Sequence, residues 1–445
     1  MHRGWAIDKA VGLWGKAGQR SLERSALVEA AEQLTRALAL IATLQSTRAL
    51  RREEITFQVA LITPLLHIKG YAAPETKAAV ERARLLIEHA EKVGESPADP
   101  LLLFKVLYYH SIANIVSFNG DLVRELSAEF LTLALKQGRA VPVIIGHRLV
   151  GNSLLLTGEI TRARVHYDEA IATYKPAEHA LLTTSFGDQD AMVTTLCWRA
   201  LALWLLGYPK GACRDADRAL QDARDMGHAA TLMYALLFVS LTHVFCGNYQ
   251  TAAFLIDELV ALATDKDALY WKGYGLVSHG CILALTGKSN SSQEITLGIS
   301  ACRSTDATMW MPTWLSFLAQ AYAEVGQFER AWRSIAETMT VIEAGKESWF
   351  KAEVNRVAGA IALKSPETDA AKAEAYFECA LAIAREQQAK SWELRAAMSM
   401  ARLWRDQGKR EKARELLAPV YGWFTEGFDT RDLKEAKALL DELGA

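Results

Sequence analysis

Apolar positions recur along most of this chain at helical spacing, and the apolar stretches end at evenly spaced glycines. Gly207, Gly247 and Gly287 are separated by 40 residues each, and Gly326 follows after 39. Glycine adopts the left-handed conformation that ends a helix without a steric cost. The pattern therefore predicts helices that end at intervals of about 40 residues, which is typical of a stacked array of helical hairpins.

The series continues on both sides, with one member missing. Gly158 precedes it and Gly408 closes it, 82 residues after Gly326, and Thr368 occupies the vacant place between them. Upstream, the glycines recur at about 50 residues with weaker internal regularity; they are Gly18, Gly70 and Gly120. We therefore expect a single array over residues 1–445, with less regular hairpins over 1–120, clearer repeats over 121–445, and a long irregular connection near 174–190.

The segment after each glycine carries a second regularity. Small residues lie five and twelve positions after Gly158, at Ala163 and Ala170, and the larger Tyr167 lies nine positions after it. These offsets share one helix face, because residues three or four apart lie above one another. We expect alanine to let paired helices approach and the larger residue to fill the groove against the next hairpin. Equivalent positions are Ala212, Ala216, Ala219, Ala252, Ile256, Ala331, Ile335, Ala373, Phe377, Ala380, Ala413 and Leu417.

The repeat after Gly287 departs most from this rule. Ser292 and Thr296 stand where small and large apolar residues are expected, so the unit is predicted to be loosely packed. Strand patterns are weak throughout: Val141–Ile145 is rich in β-branched residues but continues into a helical pattern. The sequence predicts an all-α fold.

Helix–turn–helix units with small residues at the crossing and an aromatic residue four later resemble tetratricopeptide (TPR) repeats. The clearest example runs from Gly158 to Ala170. The resemblance implies an α-solenoid, a right-handed superhelix of about ten TPR-like helical hairpins. A repeat of about 40 residues is longer than the usual 34, so the helices or loops are expected to be longer.

A more specific resemblance covers essentially the whole chain. Several segments resemble the carboxy-terminal TPR region of bacterial signalling proteins in which an adenylate/guanylate cyclase or kinase domain precedes an AAA-type ATPase module. The segments are Lys69–Glu75, Leu201–Pro209, Gly345–Glu353, Ala389–Gly408, Leu417–Thr430 and Asp432–Leu440. The catalytic domains of that family are expected upstream of residue 1, so the chain is either a stand-alone or truncated member, or a gene fragment. The resemblance implies a non-catalytic interaction or sensory scaffold whose partner is a protein or peptide, such as a cyclase, kinase or ATPase module.

Composition narrows the function classes. Fifty Lys+Arg against 52 Asp+Glu give a net charge of −2, with 51% hydrophobic residues. This is ordinary globular composition, and it offers no basic stripe for nucleic acid or an anionic membrane. The charged amino terminus and the absence of a CxxC pair among six cysteines favour a cytoplasmic protein with buried thiols. Leu232–Phe245 is apolar but shorter than a membrane span, so we interpret it as a buried helix rather than membrane insertion.

Motifs for chemistry are incomplete. Gly287-Lys288-Ser289 ends like a phosphate-binding loop, but Ile282 occupies the position of its first glycine; Gly15-Lys16 fails in the same way. Histidines are never three or four residues apart, and no GxSxG motif occurs. We therefore predict no catalytic, cofactor-binding or metal-binding residues. The binding residues stay unnamed, since concave and convex positions depend on the register of each hairpin.

Two alternatives remain open. The twelve tryptophans, several near helix ends, are compatible with a helical-toroid carbohydrate-active enzyme that uses two carboxylates. The favoured interpretation is that the aromatic residues fill the grooves between hairpins. The other alternative is the helical sensor fragment of a transcriptional activator, although no DNA-reading helix–turn–helix is evident after Tyr421.

Overall fold

The computed structural model describes most of the chain as helices. The described residues are 2–24, 26–95, 99, 101–175, 178, 186, 189–366 and 368–444. Within them the chain forms 21 α-helices and no strand. The helices are α1 (His2–Glu23), α2 (Leu27–Ile41), α3 (Arg48–Lys69), α4 (Pro74–Lys92), α5 (Leu102–Val116), α6 (Gly120–Gln137), α7 (Ala140–Leu156), α8 (Ile160–Thr173), α9 (Ala191–Leu205), α10 (Pro209–Met226), α11 (Ala229–Cys246), α12 (Tyr249–Asp265), α13 (Leu269–Leu285), α14 (Ser291–Arg303), α15 (Met311–Glu324), α16 (Phe328–Gly345), α17 (Lys351–Lys364), α18 (Ala370–Glu386), α19 (Lys390–Asp406), α20 (Arg410–Gly422) and α21 (Arg431–Gly444).

Consecutive helices pack as hairpins and form two layers. The odd-numbered helices make the inner layer: α9 and α11 are buried on nearly every face. The even-numbered helices make the outer layer: α10 buries one stripe of small residues and exposes charged residues elsewhere. A helix that is apolar all round belongs in a core, whereas an amphipathic helix covers it. The predicted all-α solenoid of helical hairpins is confirmed.

The superhelix is wound tightly enough for successive turns to bond to each other. At the end of α5, the Val116 carbonyl accepts backbone hydrogen bonds from Thr308 and Met309, which precede α15 (2.8 and 2.9 Å). At the end of α7, the Leu156 carbonyl accepts from Ser348 and Trp349, which precede α17 (2.9 and 3.2 Å). Carbonyls that a helix end leaves without partners are thus satisfied by the next superhelical turn.

The same relation extends along the chain. The Trp204 carbonyl at the end of α9 accepts from the Ser391 hydroxyl in α19, which is 187 residues further on. Helix α3 contacts α13 in the corresponding way. These four inner helices each meet the inner helix five hairpins later, so that five hairpins complete one superhelical turn.

The repeat positions take the predicted roles. The alanines at the small offsets are fully buried, from Ala163 to Ala413, and so are Tyr167 and Phe377. The glycines at the hairpin turns all have positive φ; they are Gly158, Gly207, Gly247, Gly287, Gly326 and Gly408. Thr368 lies in a longer connection between α17 and α18, where Asp369 caps α18 by accepting from the Lys372 amide (2.8 Å).

The predicted loose packing after Gly287 is wrong. A Cβ added to Gly298 in α14 would lie 2.4 Å from the Val277 nitrogen, and one at Gly280 would lie 2.6 Å from the Ile295 nitrogen. Helices α13 and α14 therefore approach each other closely through glycine. The expectation failed because α14 begins four residues after Gly287 instead of two, which moves the buried face to Ser291, Ile295 and Gly298.

Two predictions concern particular segments. Most of the long connection expected near residues 174–190 lies outside the described residues. The apolar stretch Leu232–Phe245 falls within α11, which is long and apolar enough to cross a membrane, yet 83% of it is buried inside the protein. The interpretation as a buried core helix is confirmed.

The turn glycines differ in how closely the next superhelical turn approaches them, which gives a matched test. Gly247 (φ 83°) would place a Cβ 2.7 Å from the Arg431 Cβ, whereas Gly326 (φ 75°) has open space around it. We expect Gly326→Ala to cost about 1 to 2 kcal/mol for the left-handed conformation alone. Gly247→Ala should cost about 1 kcal/mol more, because the two superhelical turns must separate. Urea denaturation of both variants measures the difference in the free energy of unfolding. An equal loss of stability in the two variants would mean that the superhelical turns can move apart at Gly247 without a measurable cost.

Candidate functional site

Two of the cavities among the inner helices carry polar groups suited to binding. The first, which we call the arginine cavity, has a volume of about 210 Å³. Its charged lining comes from α17, α19 and α21, and its apolar floor comes from α11, α13 and α15. The charged lining residues are Glu353, Arg356, Arg395, Arg402, Arg431, Asp432 and Glu435.

The carboxylates of the arginine cavity are shared between arginines. Glu353 accepts two hydrogen bonds from Arg356 (2.8 and 2.7 Å) and lies 3.7 Å from an Arg395 nitrogen. Glu435 accepts from Arg402 (2.9 Å) and from Arg431 (2.7 Å). Four arginines face three carboxylates, so the cavity carries one positive charge in excess.

Arg395 is the centre of this network. Its Nε donates to Asp432 (2.7 Å). Its Nη2 donates to the carbonyl of Phe245 (3.0 Å), which lies in the last turn of α11. The guanidinium also lies over the rings of Trp204 and Trp392 (5.1 and 5.2 Å). This side chain therefore joins α11, α19 and α21 across one superhelical turn.

The arginines of the cavity favour the ionised form of Glu435. Burial alone would raise the pKa of Glu435, but the hydrogen bonds from Arg431 and Arg402 outweigh burial and lower it. In the same way, burial opposes the charged form of Arg395, yet Asp432 and Glu353 raise its pKa. Ion pairs of this kind fix the arginines in place and leave their outer N–H groups to meet a ligand.

The second cavity, the aromatic cavity, is lined mainly by α5, α7, α9, α11 and α13 and has a volume of about 50 Å³. It is lined by rings and by three polar side chains, Arg148, Asn152 and Gln189. The rings are those of Tyr71, Tyr108, Trp198, Tyr234, Phe238, Tyr270 and Trp271.

Four of the twelve tryptophans pack in a column between superhelical turns. Trp198 stacks on Trp310 (5.6 Å between centroids), Trp310 meets Trp349 edge-on (5.0 Å), and Trp349 reaches Trp392 (6.4 Å). All four are buried, whereas Trp423 is 37% exposed. The interpretation that aromatic residues fill the grooves between hairpins is confirmed for this column.

The fold also brings together residues that sequence spacing separated. The Nδ1 atoms of His147 and His166 are 3.0 Å apart across the α7–α8 hairpin, and burial lowers the pKa of both rings. Cys213 and Cys246 lie with their sulfurs 3.7 Å apart. A search for ligands three or four apart misses both pairs, since the hairpin geometry creates them. Among the described residues, no group of three or more His, Cys, Asp or Glu is placed to hold a metal ion.

Two smaller predictions have different outcomes. The residues that resemble the end of a phosphate-binding loop, Gly287-Lys288-Ser289, form the turn between α13 and α14, as expected of a helix end. The prediction of buried thiols is wrong for Cys379, which is exposed, and only partly right for Cys213. Cys379 lies on the outward face of α18, the layer that the repeat leaves in solvent.

Comparison with known proteins places the fold. No family model matches the chain. An uncharacterised protein of Rhizobium meliloti (strain 1021) is 23% identical over 403 residues; the match covers 90% of this chain and spans 38% of the length of that relative.

Among solved structures, the chain is similar to a Rap protein complexed with Competence and Sporulation Factor, with a TM-score of 0.57, 11% identity, 88% of this chain and 99% of that one covered. It is also similar to NprR in complex with its cognate peptide NprX, with a TM-score of 0.51, 12% identity, 88% of this chain and 100% of that one covered. At such identity the likeness shows the fold alone, a TPR-like helical repeat.

Proposed function

We propose that this chain is a non-catalytic regulatory module of signal transduction that binds a peptide, or an extended segment of a partner protein, in the arginine cavity. The observation that carries the proposal is the excess positive charge on the inner layer of a TPR-like superhelix. The two solved relatives named above are complexes with Competence and Sporulation Factor and with the peptide NprX.

The chemistry of the cavity indicates which group it recognises. A guanidinium presents a planar fork of N–H donors that matches a carboxylate. Arg402 is 42% exposed at its side chain, so its outer N–H groups are accessible although it pairs with Glu435. The apolar floor, which includes Phe317 and Val244, suits the aliphatic part of a peptide side chain. The preferred ligand therefore carries an acidic side chain or a free carboxy terminus.

The competing enzyme interpretation finds less support in this cavity. A glycosidase needs one carboxyl group with a raised pKa to act as the general acid. Glu435 instead has a lowered pKa, and Glu353 is held by two arginines. Binding by complementary charge accounts for the arrangement without bond-making chemistry.

The partner is proposed from the resemblance of the sequence. The chain resembles the TPR region of cyclase or kinase–ATPase signalling proteins, and its curated relative is a much longer protein. We propose that the partner is a cyclase, kinase or ATPase module. An adjacent reading frame for such a module in the source genome is the expected observation, and its absence would count against this partner.

Binding to peptide pools tests the proposed function. Fluorescein-labelled heptapeptide pools with a fixed central Glu, Gln or Lys are titrated into the protein and followed by anisotropy. We expect the Glu pool to bind most tightly, and Arg402→Gln to weaken it about tenfold, which corresponds to one charge-assisted hydrogen bond. Arg405→Gln, on the same helix but outside the cavity, is the matched control. Equal binding of the three pools, or an unchanged affinity in Arg402→Gln, would contradict the proposal.

A further inference from the structure

Arg148 is buried in the wall of the aromatic cavity without the partners that a guanidinium requires. The residue is 2% exposed, and its Nε and Nη2 atoms have no hydrogen-bond partner in the part of the chain that the structure describes. The remaining Nη1 donates to the Thr194 hydroxyl, and the guanidinium lies 5.4 Å from the centre of the Tyr108 ring. A buried charge with unpaired donors is unfavourable by several kcal/mol, so the fold retains it against its own stability.

The described residues in the wall of the aromatic cavity supply no counter-charge to Arg148. None of the described residues that line the aromatic cavity is acidic. The arginine cavity differs in this respect, because each of its guanidinium groups has a carboxylate. A buried polar side chain that the protein leaves unpaired beside an open space marks the place of a missing partner.

We propose that the aromatic cavity binds a small organic carboxylate, whose oxygens accept the free N–H groups of Arg148 and whose apolar body lies against the rings. The two donors, Nε and Nη2, lie on the same edge of the guanidinium, which is the geometry of bidentate carboxylate binding. This site is separate from the peptide site proposed above and does not depend on it.

The residue types set the class of ligand. An aromatic box of Tyr108, Trp198, Tyr234 and Trp271 would by itself suit a cation. The positive charge of Arg148 in the same wall repels a cation and selects an anion. A strongly hydrated inorganic anion would leave the rings unused, whereas a flat carboxylate uses both the rings and the guanidinium. The volume of about 50 Å³ limits the enclosed part to a carboxylate group and a small body.

Access to the site is on the side of Ile112 and Tyr234, which are only partly buried, while the other rings are closed in. A free acid can enter there, and so can the carboxy-terminal residue of a peptide. These are two sources of the same chemistry. The experiment below separates them.

The test titrates the full chain with benzoate and follows the fluorescence of Trp198 and its neighbours. The matched controls have the same ring but a different charge: benzamide is neutral and benzylamine is positive. The second arm of the experiment uses an Ala-Ala-Phe peptide with either a free or an amidated carboxy terminus. We expect saturable binding of benzoate that is at least about tenfold tighter than that of benzamide, the value of a charge-assisted hydrogen bond.

Variants connect the effect to the site. Arg148→Gln is expected to lose at least about tenfold in benzoate affinity, while Arg405→Gln, outside both cavities, should leave it unchanged. If Arg148→Gln does not fold, the comparison of benzoate with benzamide is repeated on Arg402→Gln, which weakens the arginine cavity. A preference for benzoate that survives in this variant supports the aromatic cavity, and a preference that disappears overturns the proposal. If the free-acid peptide binds more tightly than benzoate, the carboxylate of the natural ligand is a peptide carboxy terminus. If benzoate binds more tightly, the natural ligand is a free organic acid. Benzoate and benzamide binding equally, or no saturable binding of benzoate or the free-acid peptide, would overturn the proposal.

Discussion

Replacing Gly298 by alanine is expected to destabilise the protein by about 3 kcal/mol or more, although alanine is the better helix former. In an exposed helix interior the same change stabilises by up to about 1 kcal/mol. Here the added Cβ would lie 2.4 Å from the Val277 nitrogen and 2.5 Å from its Cα. Backbone atoms have no rotamer into which to retreat, so α13 and α14 must move apart and the packing around them is lost.

A glycine with ordinary contacts provides the control for this prediction. Gly211 in α10 would place a Cβ 3.5 Å from the nearest atom, the Cδ1 of Leu203. Gly211→Ala should therefore change the free energy of unfolding by less than about 1 kcal/mol. Urea denaturation measures both variants, and the dependence of the unfolding free energy on urea concentration should be the same in each. A Gly298→Ala variant as stable as Gly211→Ala would show that the α13–α14 pair tolerates a wider spacing.

The Gly298 region also shows what periodicity can predict and where it fails. The offsets correctly placed Ala212, Ala216 and Ala219 in the hairpin contact, because they depend only on helix geometry within one repeat. They misplaced the face of α14, because the helix starts two residues later there than after the other glycines. The length of the turn sets where the helix starts, and the spacing between glycines does not reveal that length.

Contacts between superhelical turns lie beyond what the sequence shows. Ser391 and Trp204 are 187 residues apart, and no local pattern indicates that they bond. The arginine cavity depends on the same winding, since Arg395 donates to the Phe245 carbonyl, 150 residues earlier in the chain. The environment of Arg148 is likewise invisible in a sequence, because it depends on which of the described side chains line the aromatic cavity in three dimensions.

Glu347 gives the second large effect, which is a change in how stability depends on pH. The side chain is 1% exposed, and its oxygens accept from the Trp310 backbone N–H and from the Trp349 indole N–H (3.1 Å each). Burial raises the pKa of this carboxyl to about 8, against the opposing effect of the two hydrogen bonds. The neighbouring Tyr274, whose pKa burial also raises, stays neutral through this range.

The direction of the pH effect follows from these values. In the unfolded chain Glu347 loses its proton near pH 4.5, while in the folded chain it keeps the proton until about pH 8. The stabilisation from the protonated form is thus complete below pH 4.5 and is lost as the pH rises towards 8, at about 1.4 kcal/mol per unit. The loss over the whole window of about 3.5 pH units is on the order of 5 kcal/mol.

Glu347→Gln imitates the protonated acid and removes this dependence. We expect the stability of the variant, relative to the natural chain, to increase steadily between pH 5 and pH 8. Unpaired amide hydrogens shift the whole curve by about 1 to 3 kcal/mol but do not change its slope. Urea denaturation at several pH values measures the slope, and Glu343→Gln, an exposed glutamate on the preceding helix, serves as control. Because every other titrating group is common to the proteins compared, parallel curves for Glu347→Gln and the natural chain would mean that Glu347 is ionised in the folded core.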